Sequence, residues 1–267
     1  MKDFLPVIDK DIAGMVKRSL KKQQLDIRLN ARLLSAEVKA EKVHVSYEDS
    51  SGKAGLSVVD EVFDKLIIAV GRKPNSDRLF EESLGIELDE RSFVMVDKNC
   101  ETSVPNIYAI GDVVGGQMLA HKASEEGIKV AEHIAGNQAS LSYELIPSVI
   151  YIHPEVAWAG KTEAACKAAG IACRTGRFPF VASGRARAMS ETEGLIKIVA
   201  HAKTDQLLGV QIFSAQASEL IAQAVLMMEM QATAEDVALT IFAHPTLSEA
   251  MHEAALSVGG NAIHIKN

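Results

Sequence analysis

The pattern that most restricts the fold lies in the last third of the chain. Two apolar, strand-like runs at residues 195–200 and 207–213 flank a polar turn at 203–206, an arrangement typical of an antiparallel hairpin. The next segment, residues 217–230, repeats apolar side chains at helical spacing and predicts a long helix with a wide apolar face. We therefore predict that residues 142–267 form an α+β domain built on an antiparallel sheet.

Residues 1–72 have a different pattern, which predicts part of a doubly wound α/β domain. Asp9 is a candidate N-cap for a helix whose apolar stripe comprises Ile12, Met15, Val16 and Leu20. Apolar residues alternate at 25–29 and 43–47, which predicts two half-buried strands. The continuous apolar run at 66–70 is typical of a strand buried on both faces in the centre of a parallel sheet.

Residues 73–141 predict a further unit. An apolar strand predicted at 107–110 is followed by Asp112 and by a glycine-containing loop that leads into a predicted helix at 119–135. Asp112 would then lie beyond the carboxyl end of a strand, where open α/β sheets bind ligands. The alternative is that Asp112 only forms the turn, which is a common role for aspartate.

The composition narrows the classes of function. The 267 residues carry a net charge of −7, which argues against nucleic acid or an anionic membrane as the main partner. No run approaches the roughly 18 uninterrupted apolar residues expected of a transmembrane helix. The three cysteines are too few for a disulfide framework and lack the spacing of a metal site; they are Cys100, Cys166 and Cys173.

A short segment near the C-terminus contains the strongest candidates for chemistry. His244 precedes Pro245, which disfavours a helical backbone at the histidine, and Thr246 is the predicted N-cap of a helix over 247–258. Glu249 lies in the first turn, where its carboxylate can orient one imidazole nitrogen of His244 and leave the other to accept a proton. Alternatively, Thr246 and Glu249 form only a capping box.

Four segments together resemble one known family. They contain AVGRKPN at 69–75, TSVPNIYAIGDV at 102–113, MLAHKASEEG at 118–127 and AHPTLSE at 243–249. Their order and spacing resemble the C-terminal part of the flavin disulfide reductases, and residues 118–123 resemble the dihydrolipoamide dehydrogenase branch. Residues 151–163 are similar to the start of that family's dimerisation domain.

This resemblance implies a cofactor role for several residues. Asp112 would hydrogen-bond the ribityl chain of FAD, and the flavin ring would lie along Met118, Leu119, Ala120 and His121. The N-terminus of the helix that these residues open would stabilise negative charge on the reduced flavin. Gly71 would lie close to NAD.

The resemblance also implies a catalytic role and partners. His244 would be the base for a dihydrolipoyl thiol and Glu249 would orient it, with the His244–Pro245 bond in the cis form. Family members are homodimers in which this histidine serves the opposite subunit, so residues 142–267 would form the two-fold interface. The implied partner is the lipoyl-bearing protein of 2-oxo acid dehydrogenase complexes. The implied compartment is the cytoplasm or, in a eukaryote, the mitochondrial matrix.

The sequence departs from the family pattern in three features. The family has a GxGxxG loop for FAD, a CxxxxC redox disulfide and a second GxGxxG loop for NAD, and none of the three occurs here. The resemblance therefore implies a fragment that contains part of the NAD domain (1–72), a central FAD-contacting domain (73–141) and the interface domain (142–267). We expect this chain alone to lack dihydrolipoamide:NAD activity.

Two alternatives remain open. In the first alternative, the chain is a truncated form that only dimerises, as the long apolar helix at 217–230 would allow. In the second alternative, the chain comes from a reductase similar to glutathione reductase that acts on another disulfide. The sequence of residues 118–123 disfavours this alternative.

Overall fold

The computed structural model describes residues 1–50 and 56–267. These residues form two compact units: a larger unit of Met1–Leu66 with Glu144–Asn267, and a smaller unit of Ile67–Tyr143. The first 66 residues thus group with the C-terminal residues instead of forming a piece of their own. The division into three domains stays a prediction.

The helices and strands follow the chain in a simple order. The larger unit begins with α1 (Lys10–Lys22), β1 (Arg32–Lys39), β2 (Lys42–Asp49) and β3 (Ser57–Phe63). The smaller unit contains α2 (Ala120–Ile134). The larger unit resumes with β4 (Ser148–Ile150), β5 (Glu155–Gly160), α3 (Glu163–Ala168), β6 (Cys173–Pro179), α4 (Gly184–Ala188), β7 (Leu195–His201), β8 (Leu207–Ser214), α5 (Ala217–Glu229), α6 (Ala234–Leu239) and α7 (Glu249–Val258).

A five-stranded antiparallel sheet in the order β4-β5-β8-β7-β6 is the framework of the larger unit. Strands β7 and β8 form the predicted hairpin, with Leu195 opposite Phe213. The predicted helix after them is α5, which packs with α6 and α7 in one apolar core against the sheet. The predicted antiparallel α+β fold is therefore confirmed for this part of the chain.

Helix α7 approaches strand β6 very closely at Gly176. A Cβ atom at this position would lie 2.0 Å from the carbonyl oxygen of Ala254 and 2.6 Å from the backbone nitrogen of Val258. Any side chain here would push α7 away from the sheet. Since Glu249 is the first residue of α7, this contact helps to fix the position of its carboxylate.

Helix α1 packs against the sheet through residues that alternate along the strands with those of the α5–α7 core. Its side chains contact Val156 and Phe213, which lie next to core residues along β5 and β8 and so point to the opposite face of the sheet. The predicted apolar stripe of this helix is confirmed: Ile12 and Val16 are fully buried, and Met15 and Leu20 pack beside them.

Three of the predicted strands are wrong. Residues 25–29 and 66–70 form no strand, and 107–110 make only an isolated bridge at Tyr108. Ile67 is 87% exposed instead of buried. A strand buried on both faces needs neighbours on both edges, and no described strand runs beside residues 66–70. The strand predicted at 43–47 is confirmed as β2, in an antiparallel sheet of the order β1-β2-β3 and not a parallel one.

The smaller unit confirms the helix predicted at 119–135. Leu119 is the N-cap of α2, and the helix ends at Ile134, with Ala135 as its C-cap before Gly136, which has a φ of 82°. The residues before it form a short 3-10 helix, Gly111–Val114. Asp112 therefore lies on a helical turn and not at the carboxyl end of a strand.

Candidate functional site

His244 and Glu249 form a hydrogen-bonded pair at the start of α7. Nδ1 of His244 lies 2.8 Å from Oε1 of Glu249, and the bond between His244 and Pro245 is cis, as predicted. An ionised carboxylate can only accept, so Nδ1 carries the ring proton and Nε2 is left as an acceptor. The His244 side chain is largely exposed, which leaves this acceptor accessible to a proton donor.

The capping box predicted at this helix is only half formed. Oε2 of Glu249 accepts the backbone N–H of Thr246 at 2.7 Å, but the Thr246 hydroxyl donates to the carbonyl oxygen of Ala243. The helix begins at Glu249 instead of residue 247, with Ser248 as its N-cap. The two roles considered for Glu249 are thus compatible, because each carboxylate oxygen serves one of them.

The electrostatics of the pair keep Glu249 ionised. Partial burial would raise the pKa of Glu249, but hydrogen bonds from the Thr246 N–H and from His244, with the nearby charges of His244 and His264, hold it below its ordinary value. An ionised Glu249 accepts the hydrogen bond from Nδ1 and so fixes the tautomer of His244.

A cavity of about 420 Å³ lies beside this pair, within the larger unit. Its wall includes three imidazoles and two carboxylates, from His244, His252, His264, Glu249 and Glu253, and is otherwise mostly apolar. The sequence analysis missed three of these residues. The available signal was the spacing of Glu249 and Glu253, which are four residues apart and therefore on one face of a helix.

The residues that the resemblance assigns to flavin lie together in the smaller unit. Asp112 is exposed on its 3-10 turn and makes a 3.4 Å ion pair with Arg72. The side chain of the N-cap Leu119 makes no capping hydrogen bond to α2. Met118 and Leu119 are half-buried, and Ala120 and His121 are exposed.

A buried ion pair that was not predicted holds this loop against α2. Nζ of Lys122 donates to the carbonyl oxygen of Gly115 at 3.0 Å and lies 3.0 Å from Oε1 of Glu126. Oε2 of Glu126 accepts the N–H of Gly111 at 2.7 Å, and the Tyr143 hydroxyl donates to Oε1 of the same carboxylate. Both ends of the Asp112 turn are therefore tied to the first turns of the helix.

These residues fit a flavin. An exposed carboxylate can accept hydrogen bonds from ribityl hydroxyls, and a helix N-terminus without a side-chain cap favours negative charge. Gly71 is exposed with a φ of 140°, a conformation that favours glycine. The place of Gly71 near NAD stays a prediction.

A second buried charge cluster links α1 to the sheet of the larger unit. Nζ of Lys197 lies 2.9 Å from Oδ2 of Asp9 and 2.8 Å from Oε2 of Glu163, and Gln211 donates to Asp9 at 2.6 Å. Asp9 is the N-cap of α1 by position, but its carboxylate makes no capping bond there. It accepts instead from the backbone of Glu163 and Ala164, at the start of α3.

Two further properties concern the part of the chain that the structure describes. None of its helices has both the length and the apolar character needed to cross a membrane. No group of three or more His, Cys, Asp or Glu side chains there could hold a metal ion.

Two family models match the chain. The model for pyridine nucleotide-disulphide oxidoreductases matches residues 1–127, and the model for the dimerisation domain of the same family matches residues 146–255. Together they account for most of the 267 residues. The second match covers the five-stranded sheet and most of α7.

Among curated proteins, similar sequences are named dihydrolipoyl dehydrogenase. The protein from Cupriavidus necator is 46% identical over 255 residues, which is 96% of this chain and 53% of the relative. The protein from Thermus scotoductus is 44% identical over 267 residues, 100% of this chain and 57% of the relative. A mitochondrial protein from Arabidopsis thaliana is 41% identical, covering 98% and 51%. The chain spans about half the length of the curated relatives it matches.

Two solved structures are similar to the chain in fold. The HOCl-induced flavoprotein disulfide reductase RclA from Escherichia coli superposes with a TM-score of 0.85 at 28% identity, covering 95% of this chain and 57% of that chain. LpdA from Mycobacterium tuberculosis superposes with a TM-score of 0.83 at 26% identity, covering 92% and 52%. The fold, the sequence relatives and both family models agree, and the chain belongs to the pyridine nucleotide-disulphide oxidoreductase family.

Proposed function

We propose that this chain supplies the acid–base pair, a flavin-contacting segment and the subunit interface of an enzyme that oxidises dihydrolipoamide. The observation that carries the proposal is the 2.8 Å contact between Nδ1 of His244 and Glu249, which leaves Nε2 of an exposed imidazole as a proton acceptor. Relatives named dihydrolipoyl dehydrogenase at 41–46% identity support this substrate.

The chemistry follows from the state of the thiol. A thiolate, not a thiol, attacks a disulfide, so the first substrate thiol must lose its proton. Nε2 of His244 takes that proton, and the ionised Glu249 stabilises the resulting imidazolium. Oxidation of the dithiol to a disulfide releases two electrons and two protons. Asp112 and residues 118–121 would hold FAD, which when bound would supply electron transfer between a redox disulfide and NAD.

If Asp112 contacts the flavin, the chain should bind FAD weakly, and loss of the Asp112 charge should weaken that binding. We expect Asp112→Asn to weaken binding of added FAD about tenfold or more, because a charged acceptor for the ribityl hydroxyls is removed. The visible absorbance and fluorescence of FAD titrated with the purified chain measure this. Asp77→Asn, an exposed carboxylate of the same unit, is the matched control. Equal binding by the Asp112 variant, or no binding by the chain, would count against the role of this unit.

The interface role predicts that the chain self-associates. Residues near His244 expose large apolar side chains, and Ile241 is 97% exposed and Leu239 75% exposed. Burial of such residues between two copies would stabilise a homodimer. We expect sedimentation velocity to show a dimer that Ile241→Asp weakens, while Val38→Asp, at an exposed position on β1, leaves it unchanged. A wild-type chain that stays monomeric at high concentration would contradict the interface.

The substrate separates this proposal from a glutathione-type reductase. An enzyme containing this chain should turn over dihydrolipoamide and not glutathione disulfide, and the opposite preference would establish the alternative. The lipoyl-bearing protein of 2-oxo acid dehydrogenase complexes is the partner that this substrate implies. Dimerisation without any such turnover in that enzyme would favour a module that only dimerises.

A further inference from the structure

The cavity beside His244 contains a second His–carboxylate pair, which rests on the C-terminal tail. Nδ1 of His264 lies 2.7 Å from Oε1 of Glu253, so its geometry matches that of the first pair. Glu253 lies one helical turn after Glu249 on α7, and both carboxylates line the same cavity. The contact is not a helix cap or a contact within one turn, because Glu253 lies within α7 and His264 lies beyond the end of that helix.

Glu253 is built as an anchor for that segment. Its side chain is only 6% exposed, and its second oxygen accepts the backbone N–H groups of Ile263 at 3.0 Å and His264 at 3.2 Å. The tail also folds on itself, because Asn267 bonds both the N–H and the carbonyl oxygen of Ala262. A buried carboxylate that satisfies two backbone donors and one imidazole holds the tail in one place.

The anchored tail adds one ionisable side chain to the cavity. Its titratable groups, among the described residues that line it, are His244, His252 and His264 with Glu249 and Glu253, and the lining residues from 178–184 and 238–242 add none. Nε2 of His252 hydrogen-bonds the carbonyl oxygen of Ala238 at 2.9 Å. His264 is largely exposed, and its ring lies in the wall of the cavity that Glu249 also lines.

We propose that Glu253 and His264 form a second functional pair of this site, in which Glu253 anchors the tail and His264 is a positioning residue that acts through Glu249 on the base His244. His264 is among the groups that lower the pKa of the Glu249 carboxyl group, and the same carboxylate accepts the hydrogen bond from His244. The ionisation of the carboxylate that orients the base then depends on the tail. This inference rests on the proposed function of His244.

Titration of the Glu249 carboxyl group in the purified chain tests the inference. Burial, hydrogen bonds and the charges of both imidazoles act on the pKa of Glu249, with His264 among the groups that lower it. We expect His264→Gln to raise the Glu249 pKa by about half a pH unit, the scale of one screened charge. His264→Lys restores a positive charge and should restore most of the lowered pKa, which a merely structural role would not do. Carbon-13 NMR of selectively labelled glutamate measures the change.

The anchoring role of Glu253 has its own readout. Glu253→Gln should increase amide hydrogen exchange of residues 263 and 264 about tenfold, because their backbone donors lose a charged acceptor, while Glu229→Gln, exposed at the end of α5, leaves it unchanged. The exposed His264 side chain can be replaced without loss of the backbone anchor, so His264→Gln stays informative if Glu253→Gln fails to fold. An unchanged Glu249 pKa in His264→Gln would overturn the inference. Loss of activity in a His244 variant is measured separately, so either proposal can fail alone.

Discussion

Lys197→Met is expected to lower the free energy of unfolding by about 3–5 kcal/mol, the usual cost of breaking a buried ion pair from one side. The Lys197 side chain is 2% exposed and is surrounded by Asp9, Asp11 and Glu163. Methionine fills a similar volume but leaves the Asp9 carboxylate buried without its cation. Chemical denaturation of the chain, followed by far-UV circular dichroism, measures the loss.

The control for this variant is an exposed lysine outside the buried charge cluster. Lys203 is exposed in the turn between β7 and β8, and Lys203→Met should change the free energy of unfolding by no more than about 0.5 kcal/mol. A loss of the same size in both variants, or a loss below about 1 kcal/mol for Lys197→Met, would show that the cluster contributes little to the fold.

The pH dependence gives a second check on the same cluster. Burial would raise the pKa of Asp9, but Lys197 and Gln211 hold it below its ordinary value. Burial would lower the pKa of Lys197, but Glu163 and Asp9 raise it above its ordinary value. The Asp9 contribution is lost as pH falls through its folded pKa, and that of Lys197 as pH rises through its own. The difference between wild type and Lys197→Met should therefore be largest near neutral pH and shrink in acid.

His244→Gln is expected to lower kcat/KM for dihydrolipoamide by about 10²- to 10⁴-fold in an enzyme that contains this chain together with its flavin and redox disulfide. Glutamine keeps a polar side chain but cannot accept the thiol proton. His44→Gln, at an exposed position on β2, is the matched control and should leave the rate unchanged. A His244 variant with nearly full activity would remove the base from the mechanism.

Glu249→Gln separates the charge of Glu249 from its hydrogen bond. The amide oxygen can still accept from Nδ1 of His244 but no longer stabilises the imidazolium, so we expect a smaller loss, about tenfold or more. The lowered pKa of Glu249 means that its stabilising charge is present through neutral pH and is lost as pH falls through its folded pKa. The acid limb of the rate profile should change in this variant, and an unchanged profile would contradict its electrostatic role.

Elements defined by local pattern were predictable. The β7–β8 hairpin, α5 and α2 follow from apolar periodicity and glycine stops, which act within a few residues. The His244–Glu249 pair was predictable for the same reason, because the turn at Pro245 brings together two residues that are five apart. The strand at 66–70 failed because its burial depends on neighbouring strands, which a local apolar run does not specify.

The sequence by itself determined the family, the antiparallel α+β architecture and the candidate base. Only the tertiary structure decided where buried charges find partners. Asp9 bonds Gln211 across 202 residues of sequence, and Glu253 holds His264 from beyond the end of its helix. A lysine within β7 and a glutamine within β8 were visible as polar breaks in apolar strands, but not as partners. Such pairings depend on which faces meet after packing, because a buried charge persists only where the fold supplies its counter-charge.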